Sequence, residues 1–156
     1  QHRHFLECAW EALESAGHAP ESYPGRIGVY AGLSMNTYLL NNLCANRSFA
    51  ANFAGNYQVS EYLTMLGNDN DFMPTRVSYK LNLRGPSMSV QSACSTSLVA
   101  ICQAYTSLIT NQCDMALAGG SFSFCCSGAR SCPGGPTPRK AAARARRSGS
   151  IMCSRA

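Results

Sequence analysis

The sequence predicts an α/β fold in which helices cover both faces of a sheet. Residues 26–34, 85–93 and 114–120 are short apolar runs with the length of buried strands. Longer segments with apolar residues at helical spacing lie before and between these runs. Hydrophobic residues make up 46% of the 156 residues, so that a packed core is possible. Alternating units of this kind are typical of layered α/β domains.

The first predicted element is an amphipathic helix over residues 2–16. Apolar residues share one helical stripe, and three glutamates lie on another face. The stripe consists of Phe5, Leu6, Ala9, Trp10, Leu13 and Ala16, and the glutamates are Glu7, Glu11 and Glu14. Gly17 and Pro20 follow, as is typical of a helix end. The run "RIGVYAGLS" then predicts a buried strand that the chain leaves sharply at Gly32.

Residues 35–67 predict short helices and loops, because Asn and Tyr are frequent there. The stretch "NDND" at 68–71 predicts a turn and helix N-cap that leads into "FMPTRVSYKLNL". An Asx-rich run also suggests a calcium loop. The central Gly and terminal Glu of such a loop are missing, which favours the capping interpretation.

The next unit runs from residue 85 to residue 120. A Gly-Pro turn opens a strand over 85–93, and a further core strand, "DMALAGG", covers 114–120. Between them, apolar residues recur at helical spacing and also occupy other sides of the helix, as expected of a buried central helix. The recurring positions are Leu98, Ile101, Cys102, Tyr105, Leu108 and Ile109.

Charge is scarce and unevenly distributed. Charged residues are 13% of the chain, against roughly 25% in typical soluble domains, which suggests a body that is buried against more protein. The first residue is Gln1 and not Met, and it lies inside what the pattern indicates is a helix, so we expect the chain to be cut from a longer one. Residues 1–124 carry six Lys/Arg and eight Asp/Glu, whereas residues 125–156 carry seven Lys/Arg and no acid. The basic balance therefore belongs to the tail and does not indicate a nucleic-acid role for the body.

The nine cysteines do not form a recognisable metal or disulfide pattern. There is no C-x-x-C pair and no Cys/His cluster with zinc spacing, and the count is odd. We therefore expect no bound metal, a reducing cytoplasmic location, and thiols such as Cys102 and Cys113 at core positions. His2, His4 and His18 are expected at the surface. No apolar run approaches the ~18 residues that a membrane span needs, so no membrane role is expected.

Residues 125–156 predict a disordered tail. This segment contains no Phe, Tyr, Trp, Leu, Val, Asp or Glu, and therefore specifies no core. It consists mainly of Arg, Ala, Gly, Pro, Ser and Cys, a mixture typical of GC-rich DNA read out of frame. We interpret it as unrelated to residues 1–124 and as an out-of-frame translation.

Cys94 is the candidate nucleophile. It lies between a predicted strand and a predicted helix, in "SVQSACSTSLVA". The first turn of a helix offers unpaired N–H groups and the positive end of the helix dipole, which favour a thiolate and can stabilise an oxyanion. Ala93, Ser95, Thr96 and Ser97 are small enough for a sharp turn and an incoming acyl chain. From spacing alone, a buried structural cysteine before a capped helix remains the alternative.

Five ordered blocks resemble the β-ketoacyl synthases of modular type I polyketide synthases. They are "QHRHFLECAWEALESAG", "GVYAG", "NDNDFMPTRVSYKLNLRGPS", "GPSMSVQSACSTSLVAI" and "CDMALAGG". The resemblance covers residues 1 to about 124 and implies the N-terminal half of a thiolase-like α/β/α/β/α fold. It also implies a homodimer in the intact protein, with Cys94 as the catalytic residue that accepts the acyl group.

The resemblance further implies a decarboxylative Claisen condensation. An acyl group passes from the phosphopantetheine thioester of an acyl carrier protein to Cys94, and a malonyl-type thioester then attacks it. No directly bound cofactor is expected. In the family, two histidines and a second oxyanion donor lie downstream of the cysteine, whereas no histidine follows Cys94 here. We therefore expect a fragment that lacks its first strand and half of its active site, and that is inactive alone.

Three alternatives to this function are disfavoured by the residues. A fatty-acid or chalcone-type synthase is disfavoured by the block at 68–87. A non-condensing relative is disfavoured because such proteins usually replace the nucleophile, which Cys94 retains. A nucleic-acid-binding protein is disfavoured because the tail has no aromatic residue for base stacking.

Overall fold

A computed structural model describes residues 1–34, 36, 38–56 and 62–121, together with the backbone of residues 150–155. The helices are α1 (His2–Ser15), α2 (Arg47–Asn56), α3 (Tyr62–Asn68), α4 (Met73–Lys80) and α5 (Thr96–Ile109). The strands are β1 (Ile27–Leu33), β2 (Ser87–Ser89), β3 (Met115–Ser121) and β4 (Ser150–Arg155). Short helical turns occupy Leu39–Leu43, Asn70–Phe72 and Ala93–Ser95.

The strands form one sheet in the order β2-β1-β3-β4. β1 runs parallel to both neighbours, with Val29 opposite Ser87 and Ile27 opposite Met115. All seven residues of β1 are buried. Burial on both faces explains why this strand is a continuous apolar run instead of an alternating one.

Helices pack on both faces of the sheet, as the sequence predicts. On one face, α1 and α4 bury Phe5, Leu13 and Val77 against alternate residues of β1, including Val29. On the other face, α5 buries its alanines and Leu108 against Tyr30 and the small residues of β3. The small side chains let α5 lie close to the sheet, which places its first turn beside the ends of β1 and β3.

Several predicted elements are confirmed with shifted boundaries. α1 ends at Ser15, and Gly17 adopts a φ of 75°, a left-handed value that glycine tolerates. The segment before α4 is capped by Asp69, which accepts a hydrogen bond from the N–H of Asn70 at 2.7 Å. β2 covers only Ser87–Ser89 of the predicted 85–93, because the chain turns away to build the segment that carries Cys94.

Three expectations about burial are wrong: that α5 is buried on all sides, that Cys102 lies in the core, and that His2 lies at the surface. α5 is buried on one face only, and Leu98, Cys102, Tyr105 and Ile109 on its other face are exposed. Periodicity showed that several sides of α5 are apolar, but could not show which side the sheet covers. His2 is buried and not at the surface, because the sheet-facing side of α1 includes it. Burial lowers the pKa of His2, and the nearby Arg76 adds to this shift while the Asp69 backbone opposes it.

Six residues of the segment that was predicted to be disordered form a strand in the structure. Residues 150–155 pair antiparallel with β3, with Gly120 opposite Ser150 and Met115 opposite Arg155. A strand edge offers unpaired main-chain groups, which an extended segment can complete without a specific side-chain pattern. Residues 122–149 and 156, including the predicted boundary at 124, lie outside the described residues. Over the described part of the chain, no helix has the length and apolar character to cross a membrane.

Candidate active site

Cys94 lies at the carboxyl edge of the parallel strands, between β2 and α5. It occupies the short helical turn Ala93–Ser95, which directly precedes Thr96, the first residue of α5. The side chain is exposed. The geometry thus gives Cys94 the predicted placement between a strand and a helix, with the refinement that a tight turn, and not the α-helix itself, carries it. An exposed thiol at this edge is accessible to a substrate.

The turn is strained at the residue before the cysteine. Ala93 adopts a φ of 45°, in the left-handed region that residues with a side chain rarely enter. Such a conformation costs about 1–3 kcal/mol and persists only where the surroundings enforce it. The consequence is a sharp change of direction that projects the Cys94 side chain outward, as in the nucleophile elbow of hydrolases.

A compact set of hydrogen bonds enforces this turn. Thr96 Oγ1 accepts from the Ser92 N–H at 2.9 Å and donates to the Ala93 carbonyl at 2.9 Å. The N–H and the hydroxyl of Ser95 both donate to the Ser92 carbonyl, at 3.0 and 2.8 Å. The turn's own hydrogen bonds thus use the N–H groups of Ser92, Ser95 and Thr96. The N–H groups of Ala93 and Cys94 are not among them, and that of Cys94, on the residue that would carry the acyl group, is suited to donate to an oxyanion on a Cys94-bound carbonyl.

Two strand glycines allow the turn to approach the sheet. A Cβ at Gly32, in β1, would collide with the Val90 carbonyl oxygen and with Thr96 Cγ2. A Cβ at Gly120, in β3, would lie 3.7 Å from the same Cγ2 and 3.0 Å from Ser97 Oγ. Because Gly32 and Gly120 have no side chains, the first turn of α5 has room to pack against the sheet. The sequence indicated only a sharp exit from the strand at Gly32, and not this close packing between segments distant in the chain.

Polar side chains gather at the same edge of the sheet. Asn36 donates from Nδ2 to the carbonyl and the side-chain oxygen of Asn68, at 2.9 and 3.0 Å, and its own oxygen accepts from the Leu39 N–H. Ser89 donates to the Asn70 carbonyl at 3.3 Å. These bonds connect the segment after β1 to the end of α3, and the end of β2 to the short helical turn Asn70–Phe72. The sequence did not predict this cluster, since isolated Asn and Ser residues carry no spacing signal.

Cys102 and Cys113 are less suited than Cys94 to the role of nucleophile. Cys113 is buried at 2% exposure, as predicted. Cys102 is exposed, contrary to prediction, but it lies inside α5, where its neighbours' N–H groups are used by the helix. The five cysteines within residues 1–121 are all free thiols. Within the described residues, no group of three or more His, Cys, Asp or Glu side chains could hold a metal ion.

A surface cleft lies at the amino ends of the parallel strands, away from Cys94. It has a volume of about 580 Å³ and is lined by residues that include His18, Tyr23 and Asp114. Asp114 immediately precedes β3, so this cleft lies at the amino ends of the parallel strands, whereas Cys94 follows a carboxyl end. The cleft and the Cys94 turn are therefore separate features.

Residues 1–132 match the family described as the N-terminal domain of β-ketoacyl synthases. A phenolphthiocerol/phthiocerol polyketide synthase of Mycobacterium tuberculosis is 52% identical over 121 residues, which are 78% of this chain and 8% of that protein. The mycoketide-CoA synthase of the same organism is 40% identical over 121 residues, 77% of this chain and 3% of that protein.

Solved structures give the same result. The ketosynthase from module 1 of the bacillaene synthase of Bacillus amyloliquefaciens is 30% identical, with a TM-score of 0.61 over 80% of this chain and 21% of that chain. An oxazolomycin ketosynthase domain of Streptomyces albus is also 30% identical, with a TM-score of 0.61 over 78% of this chain and 20% of that chain.

A sheet with parallel strands β1, β2 and β3 between two helical layers, and with a cysteine on a tight turn at the carboxyl ends of those strands, defines a thiolase-like α/β protein. More narrowly, the chain belongs to the β-ketoacyl synthase family, and it is similar to the ketosynthase domains of polyketide synthases. It spans less than a tenth of the length of these curated relatives and about a fifth of the solved ketosynthases.

Proposed function

We propose that this chain is the N-terminal part of a ketosynthase domain and that Cys94 is its catalytic nucleophile. The full-length protein that contains the domain is called the parent protein below. In our proposal, the parent protein extends polyketides by decarboxylative Claisen condensation of thioesters. The observation that carries this proposal is the exposed Cys94 thiol on a strained turn between β2 and α5, in a chain of this family.

The first half-reaction loads Cys94. Its sulfur attacks the carbonyl carbon of an acyl thioester on the phosphopantetheine arm of an acyl carrier protein. The bond between that carbon and the phosphopantetheine sulfur breaks, and the departing sulfur takes the proton that Cys94 loses. The oxygen of the tetrahedral intermediate is negative, and the Cys94 N–H is suited to donate a hydrogen bond to it.

The second half-reaction forms the carbon–carbon bond. A malonyl-type thioester on a carrier protein loses CO₂, and the resulting enolate carbon attacks the acyl carbonyl on Cys94. The Cys94 sulfur leaves and takes up one proton from the solvent, which regenerates the free thiol and balances the negative charge of the malonyl carboxylate that was lost as CO₂. Proton handling and stabilisation of the enolate require groups from the rest of the parent protein, since no histidine follows Cys94 in this chain.

The proposal includes partners and a location. An acyl carrier protein and a malonyl-type thioester are the substrates, the intact domain is a homodimer, and the phosphopantetheine group arrives with its carrier and not as a resident cofactor. The free thiols within residues 1–121 support a reducing compartment such as the cytoplasm.

The test is condensation by the parent protein with Cys94 removed. Cys94→Ala should abolish product formation, because no other thiol within the described residues occupies the strained turn. Cys102→Ala is the matched control, since Cys102 is also exposed but lies inside α5, and it should retain activity. A Cys94→Ala variant that condenses at the wild-type rate would remove the basis for the proposal.

A further inference from the structure

We propose that Thr96 is a positioning residue for Cys94 and that its hydroxyl group sets the geometry in which the Cys94 sulfur attacks a thioester. This inference rests on the proposed function of Cys94 and adds a second residue to it. Thr96 does not touch the reacting atoms. It acts through the backbone of the turn that carries the nucleophile.

The hydroxyl bridges both sides of the strained residue. It accepts from the Ser92 N–H and donates to the Ala93 carbonyl, each at 2.9 Å. These two groups lie on either side of the Ala93 Cα, where φ is 45°. A change of φ at Ala93 would swing them apart, so the two hydrogen bonds oppose relaxation of the turn to an ordinary conformation.

The methyl group fixes where the hydroxyl points. Thr96 Cγ2 lies against the space left by the absent side chains of Gly32 and Gly120, at the ends of β1 and β3. Thr96 is only 8% exposed. A threonine has few χ1 rotamers in a helix, and seating the methyl in this space selects the rotamer that directs the hydroxyl to the turn. The rigid sheet thereby determines the position of the Cys94 backbone.

The neighbouring hydroxyl provides a contrast. Ser95 also bonds to the turn, through the Ser92 carbonyl at 2.8 Å and the Ser92 hydroxyl at 2.7 Å. Ser95 is exposed, however, so that water can replace its hydroxyl at small cost. The buried Thr96 hydroxyl has no such replacement, and its loss leaves the Ser92 N–H without this partner.

The test compares two pairs of residues at position 96 of the parent protein, Thr with Val and Ser with Ala, because the members of each pair differ in the hydroxyl. Thr96→Val keeps the shape of threonine and removes the hydroxyl. Thr96→Ser and Thr96→Ala both lack the methyl and differ from each other in the hydroxyl. Ser95→Ala is the control for an exposed hydroxyl on the same turn. For each variant, we would measure kcat and KM for acyl transfer to Cys94, together with the rate of Cys94 alkylation by iodoacetamide.

We expect Thr96→Val to lower kcat by about 10- to 100-fold with little change in KM, because small misplacements of a reacting group have effects of this size. Alkylation by the small reagent should change by no more than about twofold, since it needs access but not an aligned acyl group. Ser95→Ala should lower kcat less than Thr96→Val does, because water can replace its exposed hydroxyl. Thr96→Ser keeps the hydroxyl without the methyl that directs it, so its kcat should lie between those of wild type and Thr96→Val. Thr96→Ala should fall below Thr96→Ser.

Equal kcat in Thr96→Val and wild type would overturn the proposal. So would failure of both hydroxyl-free variants to fold while Thr96→Ser folds, because the hydroxyl would then serve the fold and not the nucleophile. If the wild-type protein accepts no acyl group on Cys94 but Cys94 is alkylated normally, the proposed function fails instead, and the two failures are thus distinguished.

Discussion

Gly32 determines how closely the Cys94 turn can approach the sheet. Gly32→Ala would place a methyl group against the Val90 carbonyl oxygen and Thr96 Cγ2. We expect the free energy of unfolding of the parent protein to fall by about 1–3 kcal/mol, the usual cost of overpacking. We also expect slower acylation of Cys94, because relief of the collision displaces Thr96. Chemical denaturation and acylation rates measure the two effects.

Gly55→Ala is the matched control for this substitution. Gly55 lies in α2, and a Cβ there would meet no atom within 4 Å. Alanine also favours a helix over glycine by up to about 1 kcal/mol, so this variant should be neutral or slightly more stable. Equal stability of the two variants would show that the close approach at Gly32 does not exist.

Among single residues, the sequence predicted the placement of Cys94 between a strand and a helix, but not the residues that hold its turn against the sheet. Cys94 was recognisable because a strand pattern ends just before it and a helix pattern begins just after it. Thr96, Gly32 and Gly120 act through contacts between segments far apart in the chain. No local periodicity encodes such contacts, and they became visible only when the register of β1 and β3 was known.

At the element scale, α5 presents an apolar stripe to solvent. Leu98, Tyr105 and Ile109 are each about 60% exposed on the face away from the sheet. Exposed patches of this kind usually mark a contact surface. The low charged fraction of the chain agrees with a body that packs against more protein. We therefore expect the stripe to be covered in the parent protein.

Tyr105→Glu tests whether the stripe is covered. In the parent protein, this change should lower the free energy of unfolding by about 2 kcal/mol or more, because a carboxylate would be placed in an apolar contact. Leu63→Glu is the control, since Leu63 lies on α3 and is 84% exposed, and it should change stability by no more than about 0.5 kcal/mol. If Tyr105→Glu leaves the free energy of unfolding unchanged, the stripe is exposed to solvent in the parent protein.

The helices and strands differ in how well the sequence predicts their bounds and their burial. α1 and β1 were predicted within a few residues, because a helical stripe and a continuous apolar run are strong local signals. β2 proved short and α5 proved half exposed, since both depend on which neighbours the chain meets. β4 was not predicted at all, because main-chain pairing with β3 requires no side-chain pattern.

At the scale of the whole molecule, we expect the 156-residue chain alone to be inactive in condensation. No histidine follows Cys94 to stabilise the enolate, and the stripe of α5 has no cover within the described residues. The purified chain should also fold poorly and bind a hydrophobic dye such as ANS more strongly than the parent protein. Carbon–carbon bond formation by the purified chain would contradict this expectation.

We further propose that residues 125–156 arise from a frameshift or an equivalent sequencing error. The segment lacks acids and aromatics and carries seven basic residues, and its composition is typical of GC-rich DNA read out of frame. Translation of the underlying DNA in the other two frames tests this directly. One frame should restore Phe, Asp and Leu in ketosynthase order beyond residue 124. If neither frame does, the tail is genuine and a non-catalytic or regulatory product becomes the better explanation.

The most direct test of Cys94 as the nucleophile is to locate the acyl group after reaction. The parent protein would be incubated with an acyl phosphopantetheine thioester, digested, and analysed by mass spectrometry. We predict that the acyl adduct lies on Cys94, because its exposed thiol occupies the strained turn between β2 and α5. An adduct on Cys102 or Cys113, with Cys94 unmodified, would contradict the assignment of the nucleophile.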